Sequence, residues 1–145
     1  MDQKGTSNGA GGCKTGTRFE ARLALVPVVM ELVAAQMRHA GAEPDAVMRA
    51  ELILEELFRN SVLHGYGGDS DRPVWIFAQA AGFCYEDEAP AFNPLADRQV
   101  HKEPNPDLSI EDQPVGGAGL MLIRQLARRA EYVRHDKRNC LLIEV

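Results

Sequence analysis

No apolar run approaches the roughly eighteen residues of a membrane-spanning helix, no Cys-x-x-Cys pair occurs, and positive charge is in deficit. Each absence removes a class of function. With no spanning segment, and no charged-then-apolar leader at the N-terminus, the chain is expected to be cytoplasmic and free of membrane contact. Cys13, Cys84 and Cys140 are odd in number and far apart, which argues against a disulfide framework or a zinc site and leaves reduced thiols. The net charge of −5 offers no general source for the phosphate neutralisation that drives nucleic-acid binding, although Arg128, Arg129, Arg134, Lys137 and Arg138 form one local basic group. No internal repeat is present.

What is there suits one compact domain. A chain of 145 residues with 45% hydrophobic and 26% charged residues has the balance of an ordinary globular protein. Such a chain buries about two-thirds of the surface its unfolded form exposes. Residues 1–17, rich in Gly, Ser and Thr, read as a flexible tail, with the domain over 18–145. "GGCKT" within the tail is not a phosphate-binding loop, because Cys13 stands where glycine is needed and no strand precedes it.

Alternation of Phe19, Ala21 and Leu23 with Glu20 and Arg22 predicts a short strand. A helix follows, with Pro27 in its first turn, Val29, Leu32, Val33, Gln36 and Met37 at helical spacing, and Gly41 at its end. A second helix is predicted from about Pro44 to Leu63. "VWIFAQ" and "FCYED" read as strands, and the long Pro-rich segment after them as a functional loop. A third helix is expected over about Leu120 to Ala130, then a hairpin of "EYVRH" and "CLLIEV" around Asp136 to Asn139. The order predicts an α+β two-layer sandwich, a mixed, mostly antiparallel sheet with helices on one face.

The second helix carries "EELFRN". At about 100° per residue, Val47, Ala50, Leu54, Leu57, Phe58 and Ser61 define the core face. Glu51, Glu55 and Arg59 fall opposite, where Glu55 and Arg59 are spaced to pair in solvent. Glu56 and Asn60 share the border, beside Ile53, Leu52 and Leu63. Two readings stand from the helix alone: a boundary Glu hydrogen-bonded to Asn, or a carboxylate and carboxamide presented together for chemistry. Downstream, Gly116, Gly117 and Gly119 in "VGGAGLMLI" precede a helix, where unobstructed N–H groups and the helix dipole can face an anion.

The order Glu-x-x-x-Asn on a helix, Asp87 at a strand end in "DEAPAFNPL", a long loop and then "GGAGLMLIRQLARRAEYVRHDKRN" resembles the GHKL superfamily of ATPases with its Bergerat fold. Within it the sequence looks most similar to the anti-sigma factor serine/threonine kinases, over about Phe19 to Val145. The resemblance implies ATP and Mg²⁺ as ligands, with Asn60 holding the metal and Glu56 acting as the catalytic base. It implies that Asp87 reads the adenine amino group, with Ala89 beside it. It also implies that Gly116, Gly117, Gly119 and Leu120 form the phosphate-facing end of a lid spanning about Leu95 to Val115. One Asn oxygen plus phosphates suits Mg²⁺, which takes hard oxygen ligands and keeps waters. His64 and Arg98 are either phosphate contacts or a turn residue and a solvated charge, and Phe92 and Pro94 are expected to pack under the lid.

The implied partners are a STAS-type anti-anti-sigma protein as the phosphorylated substrate, a sigma factor, and a second copy of the chain across the first strand and helix. The sequence departs from the family pattern in three places. Ala89 stands where Gly is usual, the hairpin before Asp87 looks short, and the Thr often found near the last strand is replaced by Cys140 or Leu141. These departures motivate the alternative of a non-catalytic regulatory module of the same fold with weak or no ATP binding. A fragment working inside a larger complex is a third reading.

Overall fold

The computed structural model describes residues 16–96 and 117–145. Its sheet comprises β1 (Thr17–Glu20), β2 (Pro73–Gln79), β3 (Gly82–Asp87), β4 (Arg129–His135) and β5 (Arg138–Glu144), in the spatial order β1-β2-β3-β5-β4. The helices are α1 (Val26–His39), α2 (Pro44–Asn60) and α3 (Gly117–Leu126). Every pairing among the described residues is antiparallel, so the expected α+β sandwich stands and its sheet is antiparallel rather than mixed. No helix among these residues is long and apolar enough to cross a membrane. The N-terminal tail, Arg98, Gly116 and the lid beyond Ala96 lie outside the described residues.

Side-chain periodicity explains the layers. Val29, Val33 and Met37 on α1 and Val47, Ala50, Leu54 and Phe58 on α2 are buried against Val74, Ile76, Phe83, Tyr85 and Ile143 of the sheet. The helical stripe of period 3.6 therefore meets a sheet face of period 2. Gln36 points inward to accept a hydrogen bond from the N–H of Ala78, at 3.0 Å, tying α1 to β2. Ile53, assigned to the border from sequence, is fully buried, because the core wraps further around α2 than the arc drawn from its strongest positions. The i, i+4 pair that forms on α2 is Asp45 with Arg49, at 2.9 Å, not Glu55 with Arg59. Glu55 is half-buried to the same class as Glu56, so burial does not separate the two carboxylates.

Three boundaries differ from expectation. The first strand stops at Glu20, and Leu23 enters a short 3₁₀ turn (Leu23–Leu25) that leads into α1. The third helix starts at Gly117 and stops at Leu126, because Arg128 N–H bonds the Glu144 carbonyl at 2.6 Å and Arg129 and Ala130 pair with Glu144 and Ile143. Sheet pairing there overrides a helical pattern. The hairpin before Asp87 is not short: β2 and β3 are full strands joined by Ala80 and Ala81 alone, in register Gln79 to Gly82.

Gly82 makes that tight connection possible. Its φ is +155°, and an added Cβ would sit 1.9 Å from the Ile143 carbonyl oxygen on β5. Gly82→Ala is expected to destabilise the fold by about 3 kcal/mol or more, since both the backbone angle and a neighbouring strand resist it. Urea unfolding followed by circular dichroism measures this, and a loss below about 1 kcal/mol would contradict the assigned register.

Candidate functional site

The α2 helix does not simply end at Asn60. The backbone continues into one π-helical turn, Ser61–Gly65, closed by Tyr66 N–H donating to the Ser61 carbonyl at 2.8 Å. Widening the helix by one residue per turn shifts the side chains that follow relative to an α-helical register. Leu57, Asn60, Ser61, His64 and Gly65 thus line one wall of a cavity of about 450 Å³. The other walls are the β3 end and its loop (Tyr85, Asp87, Ala89–Phe92), Pro94, Ile123 of α3, and Asn139 and Leu141 of β5. This volume suits a small ligand, and the lining is mostly apolar with few polar groups, which is the usual composition of such sites.

The polar end is organised around Asp87, which is buried. Ser61 donates its hydroxyl hydrogen to Asp87 Oδ2 at 2.6 Å, and Ser61 Oγ in turn accepts from the Tyr85 hydroxyl at 2.6 Å. The Tyr85 hydrogen is shared with the Leu57 carbonyl, 3.1 Å away. Asp87 Oδ1 accepts from Asn139 Nδ2 at 2.9 Å and from the Ala89 N–H at 3.2 Å. An ionised carboxylate offers about four acceptor positions, so three donors leave room for one more from a ligand.

Asn139 is the residue that sequence reasoning missed. It pairs with Asp87 across β3 and β5, whereas Cys140 pairs with Glu86 on the opposite face and only Leu141 reaches the cavity. Its amide nitrogen donates to Asp87, Ala89 O and Pro90 O, and its oxygen accepts from Tyr132 Oη, Arg134 Nη1 and Phe92 N–H. A polar side chain therefore meets Asp87 one residue before Cys140. Identifying it needs the register between β3 and β5, which are separated in the chain by residues 88–137.

The structure brings Asn60, Asp87 and Ala89 into one cavity, together with His64, Phe92 and Pro94; the last two line it rather than only supporting the lid. Glu56 is one helical turn from Asn60 and is not part of the lining. Among the described residues neither Glu56 nor Asn60 hydrogen-bonds the other, which removes the reading of a mutually satisfied boundary pair. Gly117 and Gly119 lie within the first turn of α3 instead of before it, as does Leu120. Helix-start N–H groups there have no intrahelical acceptor, the condition that favours an anion. Ala89 is not at positive φ, so its side chain imposes no backbone strain. Among the described residues, no three His, Cys, Asp or Glu side chains gather into a metal site of their own.

Burial of the aromatic hydroxyls gives the site region a measurable signature. Burial pushes the Tyr66 phenol up to about 12, a shift only partly offset by its bond from the Glu88 N–H. Burial, reinforced by the Asp87 charge, raises Tyr85 well above the usual phenol range, and burial raises Tyr132 as well. These are all three tyrosines of the chain. In the unfolded chain they ionise near about 10. The unfolded state therefore loses protons first, and stability present below pH 10 falls as pH rises toward 12. At pH 10 native protein should show clearly less tyrosinate absorbance than urea-unfolded protein, which shows about half of its full value, and equal absorbance in the two states would contradict the network.

Comparison with known proteins agrees with this geometry. A search of curated proteins returns no match. A family model described as the histidine kinase-like ATPase domain matches residues 19–145, from β1 to the last residue, and the chain belongs to that family.

Proposed function

We propose that this domain is an ATP-dependent protein serine/threonine kinase of the anti-sigma type, acting on a STAS-type anti-anti-sigma partner. The observation that carries the proposal is the cavity itself, with a buried, donor-organised carboxylate at one end and an unengaged Asn60 carboxamide on the wall formed by α2. Family members bind ATP, usually with Mg²⁺, and the residues present fit that ligand. Asp87 has an acceptor position to spare for a purine amino group, a feature that favours adenine over guanine. Leu57, Ile123, Leu141 and Phe92 supply apolar surface for a flat ring. Asn60 offers a hard oxygen suited to Mg²⁺, and the first turn of α3, with Gly117, Gly119 and Leu120, offers N–H donors suited to phosphate.

Bound Mg-ATP supplies the activated phosphoryl group and its charge neutralisation. Glu56, one turn before Asn60, is the residue assigned to accept the proton of the attacking hydroxyl, with the partner's serine or threonine completing the arrangement. A sigma factor is the proposed second partner. A homodimer across β1 and α1 is supported by β1 being a sheet edge and by Val28 on α1, which is 52% exposed.

One observation favours a second reading. Glu56 does not line the cavity, so a domain that binds nucleotide and partner without transferring phosphate is also consistent with the geometry. Two measurements separate the readings. Calorimetry with Mg-ATP should give binding, and Asp87→Asn should weaken it by at least about 30-fold, or about 2 kcal/mol for the lost acceptor. Incubation with Mg-ATP and a purified STAS partner should give phosphoserine or phosphothreonine, and Glu56→Gln should slow transfer by about 100-fold or more while leaving nucleotide affinity within about threefold. Transfer unaffected by Glu56→Gln removes that residue from the mechanism. Binding without transfer in the unaltered protein establishes the regulatory module.

A further inference from the structure

Gly65 and Ala89 line both the site cavity and a second, more open cavity of about 620 Å³ on the far side, edged by Arg72, Arg134 and Lys137. Together with Pro90, which also lines both, the two residues form the partition between the cavities. An added Cβ on Gly65 would stand 2.8 Å from Ala89 Cβ, closer than real Cβ contacts come. The φ of Gly65 is not in the left-handed region, unlike those of Gly67 (+77°) and Gly68 (+132°). Glycine at position 65 is thus required for space and not for backbone freedom.

Neither side of the partition can retreat cheaply. The Ala89 N–H is held by Asp87 Oδ1 at 3.2 Å, and its carbonyl accepts from Arg134 Nη1 at 2.8 Å and Asn139 Nδ2 at 3.2 Å. On the other side, Tyr66 follows Gly65 directly; its hydroxyl donates to the Pro73 carbonyl and accepts from the Glu88 N–H, both at 2.7 Å. That pair of bonds sets the spacing between the π turn and the loop after Asp87. Room remains for one methyl group, and Ala89 occupies it at 3% exposure.

We infer that Gly65 and Ala89 are a matched pair: Gly65 is a positioning residue whose missing methyl lets the Ala89 loop sit where its N–H bonds Asp87 and its carbonyl holds Asn139, which bonds Asp87 in turn. The inference rests on the nucleotide-site reading for its ligand, while the packing relation stands on the contact between Gly65 and Ala89. It also answers the concern that a methyl at position 89 crowds the site, since that methyl is taken up by the gap at Gly65.

The test is a double-mutant cycle on the full chain with two readouts, Mg-ADP affinity by calorimetry and amide hydrogen exchange at Ala89 and Phe92 in the ligand-free protein. Gly65→Ala should weaken Mg-ADP by at least about tenfold and expose both amides to exchange, and the double variant should return to within about threefold of the Ala89→Gly single variant, which serves as its reference in the cycle. Rescue is the decisive arm even if Gly65→Ala folds poorly, because the double variant removes the same contact and should recover its melting temperature. A double variant no better than Gly65→Ala, or a Gly65→Ala protein indistinguishable from the unaltered one, overturns the pairing. Absence of Mg-ADP binding in the unaltered protein overturns the nucleotide reading, and the exchange pattern then decides the pairing by itself.

Discussion

The buried carboxylate of Asp87 is the constraint on which the site depends. Removing a carboxylate from water costs several kcal/mol unless hydrogen bonds replace the lost solvation. Here the donors come from three separate places: Ser61 in the turn after α2, Ala89 in the loop after β3, and Asn139 on β5. Each of those segments must therefore be in its native position for the carboxylate to be tolerated. Assembly of the fold and organisation of the site are one event, and the cavity is preformed because its polar end is already satisfied within the protein.

Strand alternation carries this organisation to the opposite face of the sheet. Asp87 and Asn139 face the helices, so their neighbours Glu86 and Arg138 face the other way. Arg138 bonds Glu86 at 3.2 Å and lies over the Trp75 ring, 3.7 Å from its centroid, which covers a Glu that is almost wholly buried. A guanidinium that both pairs with a carboxylate and stacks on an aromatic ring suits a sheet face that carries no helix among the described residues, since it shields apolar surface while keeping part of itself in water. The same two strands thus build a cavity-facing polar cluster and an ionic cluster back to back.

Much of this was legible in the chain. The stripe from Val47 to Phe58, the strand patterns of β2 and β3, and the ordered set of Glu56, Asn60, Asp87 and the glycines were readable because they are local or nearly so. Three details were not. Asn139 was hidden because its contact with Asp87 depends on a strand register between segments far apart in the chain. The π turn was hidden because Ser61 to Gly65 carries no composition that distinguishes it from an ordinary helix end. The end of α3 was misjudged because Leu126, Ala127 and Ala130 keep helical spacing while Arg129 and Ala130 are claimed by pairing with β5.

The sequence by itself determined the layered architecture, the family and the candidacy of Asn60 and Asp87, because apolar periodicity and short motifs act over a few residues. Tertiary structure alone decided how those residues relate. It separated Glu56 from the cavity wall while leaving Asn60 on it, placed Asn139 against Asp87, and set the Ala89 methyl into the space left by Gly65. Contacts between segments far apart in the chain depend on register and on spacing of about an ångström, and neither is encoded in the pattern of any one segment.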